Sequence, residues 1–296
     1  MISIIISSAN KKLLDQVTQN IERTIGTTYE IIAFDNSSGT KGIAEIYNQG
    51  IRQAQYPVLC FMHEDIAFLT EGWGSAVINI FEQNTDVGLL GVAGSTYKPL
   101  TPSGWNGIGN LEYYTNLYQS YKFSDKPGEL KHHNPDGEKL VQVACIDGVW
   151  MCTPRAIALQ YNFDESFSGF HVYDIDLSLN IGQHYKVAVT FDVLLDHFSE
   201  GNYNADWLKD TLKLHKKWEH LLPVDITGKS LKSIISIERR TFKYFIDLLL
   251  KFNFPLLLAT AFLKLNKRYY KLSPLLFLKL QYYIKIKGLK KNKPVK

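Results

Sequence analysis

The chain of 296 residues is short of several things, and each shortage excludes something. There are three cysteines, Cys60, Cys145 and Cys152, all set among apolar residues and none in a Cys-x-x-Cys pair. That excludes a disulfide framework and a cysteine zinc site, and it reads as reduced, buried thiols in a cytosolic protein. No glycine-rich, lysine-bearing loop follows the first apolar run. Ser7-Ser8-Ala9-Asn10 stands there instead, which argues against a nucleotidyltransferase with a phosphate loop near its first strand. No stretch reaches the ~20 uncharged apolar residues of a spanning helix. The N-terminal apolar run is short, lacks a basic leader and meets Lys11-Lys12, so it is unlike a signal peptide. No internal repeat or low-complexity segment is present.

Acidic residues are scarce in one place. From Thr227 onward there are 17 Lys and Arg against 2 Asp and Glu, a balance of +15. The first 226 residues hold the other 16 basic and 27 acidic residues, a balance of −11. An acidic body is a poor match for nucleic acid, whereas a basic apolar tail suits anionic lipid.

The body alternates strand and helix patterns. Ile2–Ser7, Glu30–Phe34 and Pro57–Met62 read as buried strands, and Lys11–Ile25 and Gly42–Ala54 carry helical apolar periods. This predicts an α/β fold with an open, mostly parallel sheet and flanking helices. In such sheets ligands bind outside the carboxyl ends of the strands. That rule puts the loop Asp35-Asn36-Ser37-Ser38 and the segment His63-Glu64-Asp65 on one binding edge. A second acidic segment, Tyr173-Asp174-Ile175-Asp176, follows roughly 110 residues after the first. Carboxylates at the ends of apolar runs usually bind a cation or handle protons. Residues 95–139 are rich in Gly, Pro, Tyr, Asn and His and predict an irregular insertion. Its Trp105, His132 and His133 are candidate substrate contacts. Residues 1–225 are expected to form the catalytic domain. Residues 226–296 are expected to form a helical, basic, amphipathic region that binds membrane, packs on the body, or pairs two copies as a homodimer.

The order of these segments resembles a GT-A fold, family 2 glycosyltransferase over residues 1 to about 205. The resemblance rests on the strand Ile2–Ser7, Phe34-Asp35-Asn36-Ser37-Ser38, Asn48, His63-Glu64-Asp65 and Tyr173-Asp174-Ile175-Asp176. It implies a Rossmann-like sheet and an enzyme that moves a sugar from a nucleotide diphosphate to a hydroxyl. Asp35 then meets the base of a UDP- or dTDP-sugar, and Ser7, Asn48, His63, Glu64 and Arg155 join it around the donor. Asp65 matches the last aspartate of the family's Asp-x-Asp metal segment, and His63 replaces the first. His197 is placed like a histidine that completes the metal site in several such enzymes, with Mn²⁺ or Mg²⁺ as the ion. Asp174 matches the general base of inverting members. Asp176 lies ~200° around a helix from it, so the two cannot serve one acceptor atom. Trp150, Asp176 and His171 are the candidate acceptor contacts, for a glycan or lipid-linked acceptor.

Each residue also has a plainer reading. Asp35 suits a turn, His63-Glu64-Asp65 and Asp174 suit helix caps, and His197 suits an ordinary loop. A non-catalytic sugar-nucleotide-binding or scaffold protein of the same shape also remains open. The expected location is cytoplasmic, peripheral on the inner membrane face, with no nucleic-acid partner.

Overall fold

The computed structural model describes residues 1–122, 125–199, 201 and 203–291. Phe123 and Ser124 of the expected insertion, Glu200 of the His197 loop and residues 292–296 of the basic tail lie outside them. In chain order the first elements are β1 (Ile2–Ser8), α1 (Lys11–Thr24), β2 (Tyr29–Asp35), α2 (Ile43–Gln53), β3 (Val58–Met62), β4 (Ile66–Phe68) and α3 (Trp73–Gln83). Short strands follow: β5 (Val87–Gly91), β6 (Ala93–Ser95), β7 (Tyr97–Lys98), β8 (Tyr113–Gln119), β9 (Glu129–His133), β10 (Leu140–Val143), β11 (Cys145–Ile146) and β12 (Trp150–Pro154). Then come α4 (Arg155–Gln160), α5 (Tyr173–Ile181), β13 (Lys186–Thr190), β14 (Leu195–His197), α6 (Ala205–Lys217) and β15 (Val224–Asp225). The chain closes with α7 (Leu231–Lys251), α8 (Leu257–Lys264), α9 (Arg268–Leu272) and α10 (Pro274–Lys291).

Two compact units result: Met1–Thr96 with Glu112–Asn202, and Tyr97–Leu111 with Tyr203–Lys296. The first holds a seven-stranded sheet in the order β10-β13-β5-β12-β3-β1-β2. The β-branched run Ile2–Ile6 is fully buried at its centre, as a strand covered on both faces must be. β1 pairs in parallel with β2 and β3, and β5 with β13. The expected α/β sheet with flanking helices is present, but β12 and β10 run antiparallel, so the sheet is mixed. Parallel register aligns Ser8 with Asp35 and Ile6 with Met62, so the carboxyl ends of β2, β1 and β3 form one edge. α1 begins where Asn10 accepts from the amides of Lys12 and Leu13, and it buries Val17 and Ile21. Below the edge lies an aromatic knot: Tyr47 packs 4.9 Å from Phe61, 5.2 Å from Phe163 and 5.8 Å from Tyr173.

The stretch 95–139, expected to be irregular, supplies much of a second sheet. Its order is β11-β6-β8-β14-β4, with β9 paired to β8. Alternation was hidden there because β8 (Tyr-Tyr-Thr-Asn-Leu-Tyr-Gln) is polar and aromatic on both faces. His132 on β9 contacts Asn116 Oδ1 through Nδ1 at 2.9 Å, and His133 stacks on Tyr113.

The second unit is more than a tail. Residues 97–111 belong to it because Glu238 of α7, fully buried, binds them. Glu238 accepts from Tyr97 Oη (2.8 Å), the amides of Leu100 (2.7 Å) and Thr101 (3.3 Å), and Thr101 Oγ1 (2.9 Å). Tyr269 Oη of α9 donates to the same carboxylate at 3.0 Å. Lys98, also fully buried, donates to Ser103 O, Gly104 O and His215 Nε2 of α6. Around these hubs Trp207, Leu208, Phe242, Phe245, Leu249, Leu263, Leu276 and Leu280 form an apolar core. The compact division therefore differs from one drawn by composition at residue 225, since a contiguous cut cannot assign 97–111 to the C-terminal helices. Among the described residues no helix is long and apolar enough to cross a membrane.

Candidate active site

The site grows from the ends of β3, β4, β14 and the start of α5, all in the first unit. β3 stops at Met62, and the His63 amide donates to Val149 O at 3.2 Å. β4 then pairs antiparallel with β14, setting His197 opposite Ile66. The Phe198 amide closes this register on Asp65 O at 2.9 Å. Two segments 130 residues apart thereby place His63, Asp65 and His197 together, with one ligand atom from each within 4.8 Å of the others. His63 Nδ1 and His197 Nε2 each lie 3.8 Å from Asp65 Oδ1. Ser199 Oγ donates to Asp65 Oδ2 at 2.6 Å and fixes the carboxylate plane. Burial pushes the Asp65 carboxyl up, but His63, Ser199 and His197 outweigh it and hold it below the ordinary value. Burial, and then His63, hold His197 below its ordinary value despite the nearby acids, which favours the neutral imidazole that a metal needs.

Tyr173 ties this cluster to α5. Its hydroxyl lies 3.1 Å from Gly148 O and 2.8 Å from His63 Nε2. Burial holds the phenol far above its usual range, so Tyr173 keeps its proton and can donate a hydrogen bond to Gly148 O. When it does, Nε2 of His63 is the donor to the phenol oxygen. In the neutral ring this leaves the lone pair on Nδ1, the atom that faces Asp65. Gly148 has no alternative here, because a Cβ would strike the Tyr173 hydroxyl.

Asp174 follows at the first turn of α5. Val172, the residue before the helix, has φ of 59°, a left-handed conformation rare for a β-branched residue. That turn aims Asp174 back at the β11–β12 loop, where Oδ2 accepts from the Gly148 amide at 2.9 Å and Oδ1 from its neighbour Ile175 at 2.8 Å. Burial, and then the charge of Asp147, push the Asp174 carboxyl up to about 7. Asp147 is held by the Val149 amide at 2.9 Å. A carboxyl poised near neutrality beside a three-ligand cluster suits proton removal next to a charged leaving group.

A model of the glycosyltransferase-like family matches residues 3–216. The chain belongs to that family. The solved structure of GalNAc-T7 with UDP, GalNAc and Mn²⁺ is similar to it at 12% identity and a TM-score of 0.49, over 86% of this chain and 59% of that one. S. aureus TarS is similar at 10% identity and 0.49, over 82% and 44%. TarS 1–349 in complex with UDP-GlcNAc gives 10% and 0.46, over 85% and 73%. This chain thus spans under two thirds of the first two chains. No curated protein sequence matches it.

Not every residue marked out in the sequence reaches the site. Asp35 does stand at the binding edge, exposed, and the Ser37 amide and then the Ser37 hydroxyl hold its carboxyl low. Ser7 lies on the same edge, paired with Phe34. Glu64 is committed elsewhere. It accepts from Ser8 Oγ at 2.6 Å and from the amides of Ala9 and Asn10, clamping the β1–α1 turn to the β3 end. Asn48 is buried, with its amide on Phe163 O and Glu165 Oε1 and its carbonyl on the Phe163 amide, so it pins the 161–167 loop. Arg155 is at the wrong end of the sheet. β12 runs antiparallel to β3, with Trp150 opposite Met62 and Pro154 opposite Val58, and the Arg155 amide reaches Pro57 O. It follows Trp150, at the site edge, by five residues, about 17 Å at strand spacing. Trp150 is fully buried, edge-on to Phe68 and Trp73, so its ring offers no face to an acceptor. Asp176 is 2% exposed and points into the fold rather than beside Asp174. His171 is partly exposed in the loop that enters α5. Sequence reasoning missed Asp147, Tyr173 as a tautomer-setting group, and Ser199. Only Asp147 left a trace, as an acid directly after the apolar run Val143–Ile146.

Proposed function

We propose that this glycosyltransferase moves a sugar from a uridine or thymidine diphosphate to a hydroxyl of a glycan or lipid-linked acceptor, with inversion. The observation that carries the reading is the junction at Tyr173–Asp174. One turn of helix bears both the hydroxyl that orients His63 and the carboxyl raised to about 7. Two imidazole nitrogens and one carboxylate within 4.8 Å fit a divalent cation, and imidazole favours Mn²⁺ over Mg²⁺. His63 Nδ1, Asp65 and His197 would hold it. When bound, the ion supplies positive charge against the departing diphosphate. Asp35 would accept from the base N–H. Asp174 would take the proton from the acceptor hydroxyl as its oxygen attacks the anomeric carbon, while the C–O bond to the diphosphate breaks on the opposite face. The Gly148 amide keeps the Asp174 carboxylate aimed throughout.

The test is a thermal-shift panel of nucleotide diphosphates with and without Mn²⁺, because a ligand bound only by the folded state raises the midpoint. A Mn²⁺-dependent rise with UDP or dTDP that is lost in Asp65→Ala supports the reading. A flat response across the panel would sink it.

A further inference from the structure

α10 carries two apolar faces where one would suffice. Its inward face is settled: Leu276 and Leu280 are 3% and 1% exposed in the core of the second unit, and Lys287 reaches Asp247 of α7 at 2.6 Å. Leu275, Leu278, Tyr282 and Leu289 are 61%, 58%, 67% and 62% exposed. At 100° per residue these four fall within an arc of about 60°, roughly 150° around the helix from Leu276 and Leu280. Isolated exposed leucines are ordinary, but a stripe more than three turns long is not. Lys279 and Lys285, both exposed, stand on either side of it. After Asp247 the chain holds twelve Lys and Arg and no Asp or Glu. A second protein surface covering this stripe would have to match a field of one sign over a whole helix. An anionic bilayer does so without design, taking the apolar side chains below its headgroups while the lysines meet its phosphates.

We infer that the outward stripe of α10, Leu275-Leu278-Tyr282-Leu289 with Lys279 and Lys285, docks the protein flat on an anionic lipid surface. The helix lies in the interface and does not cross it, in line with the lack of a spanning helix among the described residues. The inference stands apart from the transfer chemistry, since it uses neither the acid pair nor the histidine cluster.

The test is co-sedimentation of the full chain with vesicles of phosphatidylglycerol and phosphatidylcholine in equal parts, against vesicles of phosphatidylcholine alone. Binding is expected to the anionic vesicles, at least tenfold weaker to the neutral ones, and weakened by 0.5 M salt on the order expected when the screening length falls to a few ångströms. Leu278→Ser/Tyr282→Ser/Leu289→Ser should cut anionic binding tenfold or more without shifting the thermal midpoint, because those side chains are solvent-facing. Lys279→Glu/Lys285→Glu, which leaves every apolar contact intact, should do the same and serves if the first variant is poorly folded. Absence of vesicle binding, or equal binding by folded variants, overturns the inference. So does a wild-type dimer that the stripe variant converts to monomer with no change in vesicle binding, since a second copy would then be the occupant.

Discussion

Tyr173→Phe removes a single oxygen and tests the link between α5 and the histidine cluster. The ring would stay where it is, 5.8 Å from Tyr47 and 6.3 Å from Phe163, so packing is conserved. Two things are lost. Gly148 O loses its donor in a buried setting, which costs about 1–3 kcal/mol of stability. His63 Nε2 loses its acceptor, so the ring is free to turn or to change tautomer, and Nδ1 is no longer committed to face Asp65. Loss of such an outer partner typically weakens metal binding 10- to 100-fold. The assay is a Mn²⁺ titration followed by the resonance of the free ion, which reads binding without turnover. Asn48→Ala is the control, because it removes three hydrogen bonds to the 161–167 loop and destabilises the same unit without touching a ligand. The expected result is weaker Mn²⁺ binding in Tyr173→Phe alone. A Mn²⁺ affinity in Tyr173→Phe within twofold of wild type, with Asp65→Ala binding none, would refute the tautomer argument.

Asp174→Asn should lower kcat by 10²–10⁴ while leaving UDP binding intact, measured by transfer rate and by nucleotide titration. The same variant reports on pH. In the metal-free protein the folded state keeps the Asp174 proton up to about 7, whereas the ordinary value is 3.8. The folded state therefore holds more protons in between, and wild-type stability falls as pH rises through that window, by at most on the order of 4 kcal/mol. Asp174→Asn should lack this slope in denaturant midpoints taken from pH 4 to 8, and a parallel slope would refute the assignment. Glu64→Ala should lower stability by about 1 kcal/mol, mainly through the lost partner of the buried Ser8 hydroxyl, because the exposed Ala9 and Asn10 amides regain water, with donor KM changed less than threefold. Arg155→Ala should leave donor KM unchanged, and a tenfold rise would return Arg155 to the diphosphate.

The parts of this protein that were legible in its sequence are those set by local pattern. The run Ile2–Ile6 could only be a covered strand, and the parallel set β1, β2 and β3 fixes which loop ends share an edge, although β2, expected to be buried, is a half-buried strand at the rim of the sheet. The placing of Asp35, His63 and Asp65 at that edge follows from the rule, whereas Asp174 was marked out by the resemblance. What was not legible depends on pairing. Arg155 follows Trp150 by five residues, and only the antiparallel sense of β12 shows that those residues carry it away from the edge. Glu64 lies between two site residues, yet its oxygens turn the other way, to Ser8 and Asn10. Asn48 matches a family position, but its side chain is spent on the 161–167 loop. Tyr173 looked like one half of an acidic motif, and its hydroxyl became informative only beside Gly148 and His63. Glu238 was one of two acids in a basic stretch, and its five hydrogen bonds explain why residues 97–111 leave the first unit.

His63 gives the proposed chemistry a charge layout that an aspartate there would not. A divalent ion held by two neutral imidazoles and one carboxylate keeps a net charge of +1, whereas two carboxylates and one imidazole would cancel it. At ~4 Å and an effective dielectric near 20, one unit of charge on a phosphate oxygen is worth about 4 kcal/mol, so the difference falls directly on the leaving group. The acceptor side carries the opposite sign. Asp147 and Asp174 sit together there, and their mutual repulsion is part of what raises Asp174 to about 7. Tyr173 stands between the two sides as a neutral spacer whose hydroxyl bridges Gly148 O and His63 Nε2. In the proposed reaction, proton removal at Asp174 and charge build-up on the diphosphate would be served by separate groups, linked through Tyr173 on the first turn of α5. The strained Val172 is the cost of that arrangement, about 1–3 kcal/mol, because a relaxed residue there would start α5 at a different angle and part Tyr173 from His63.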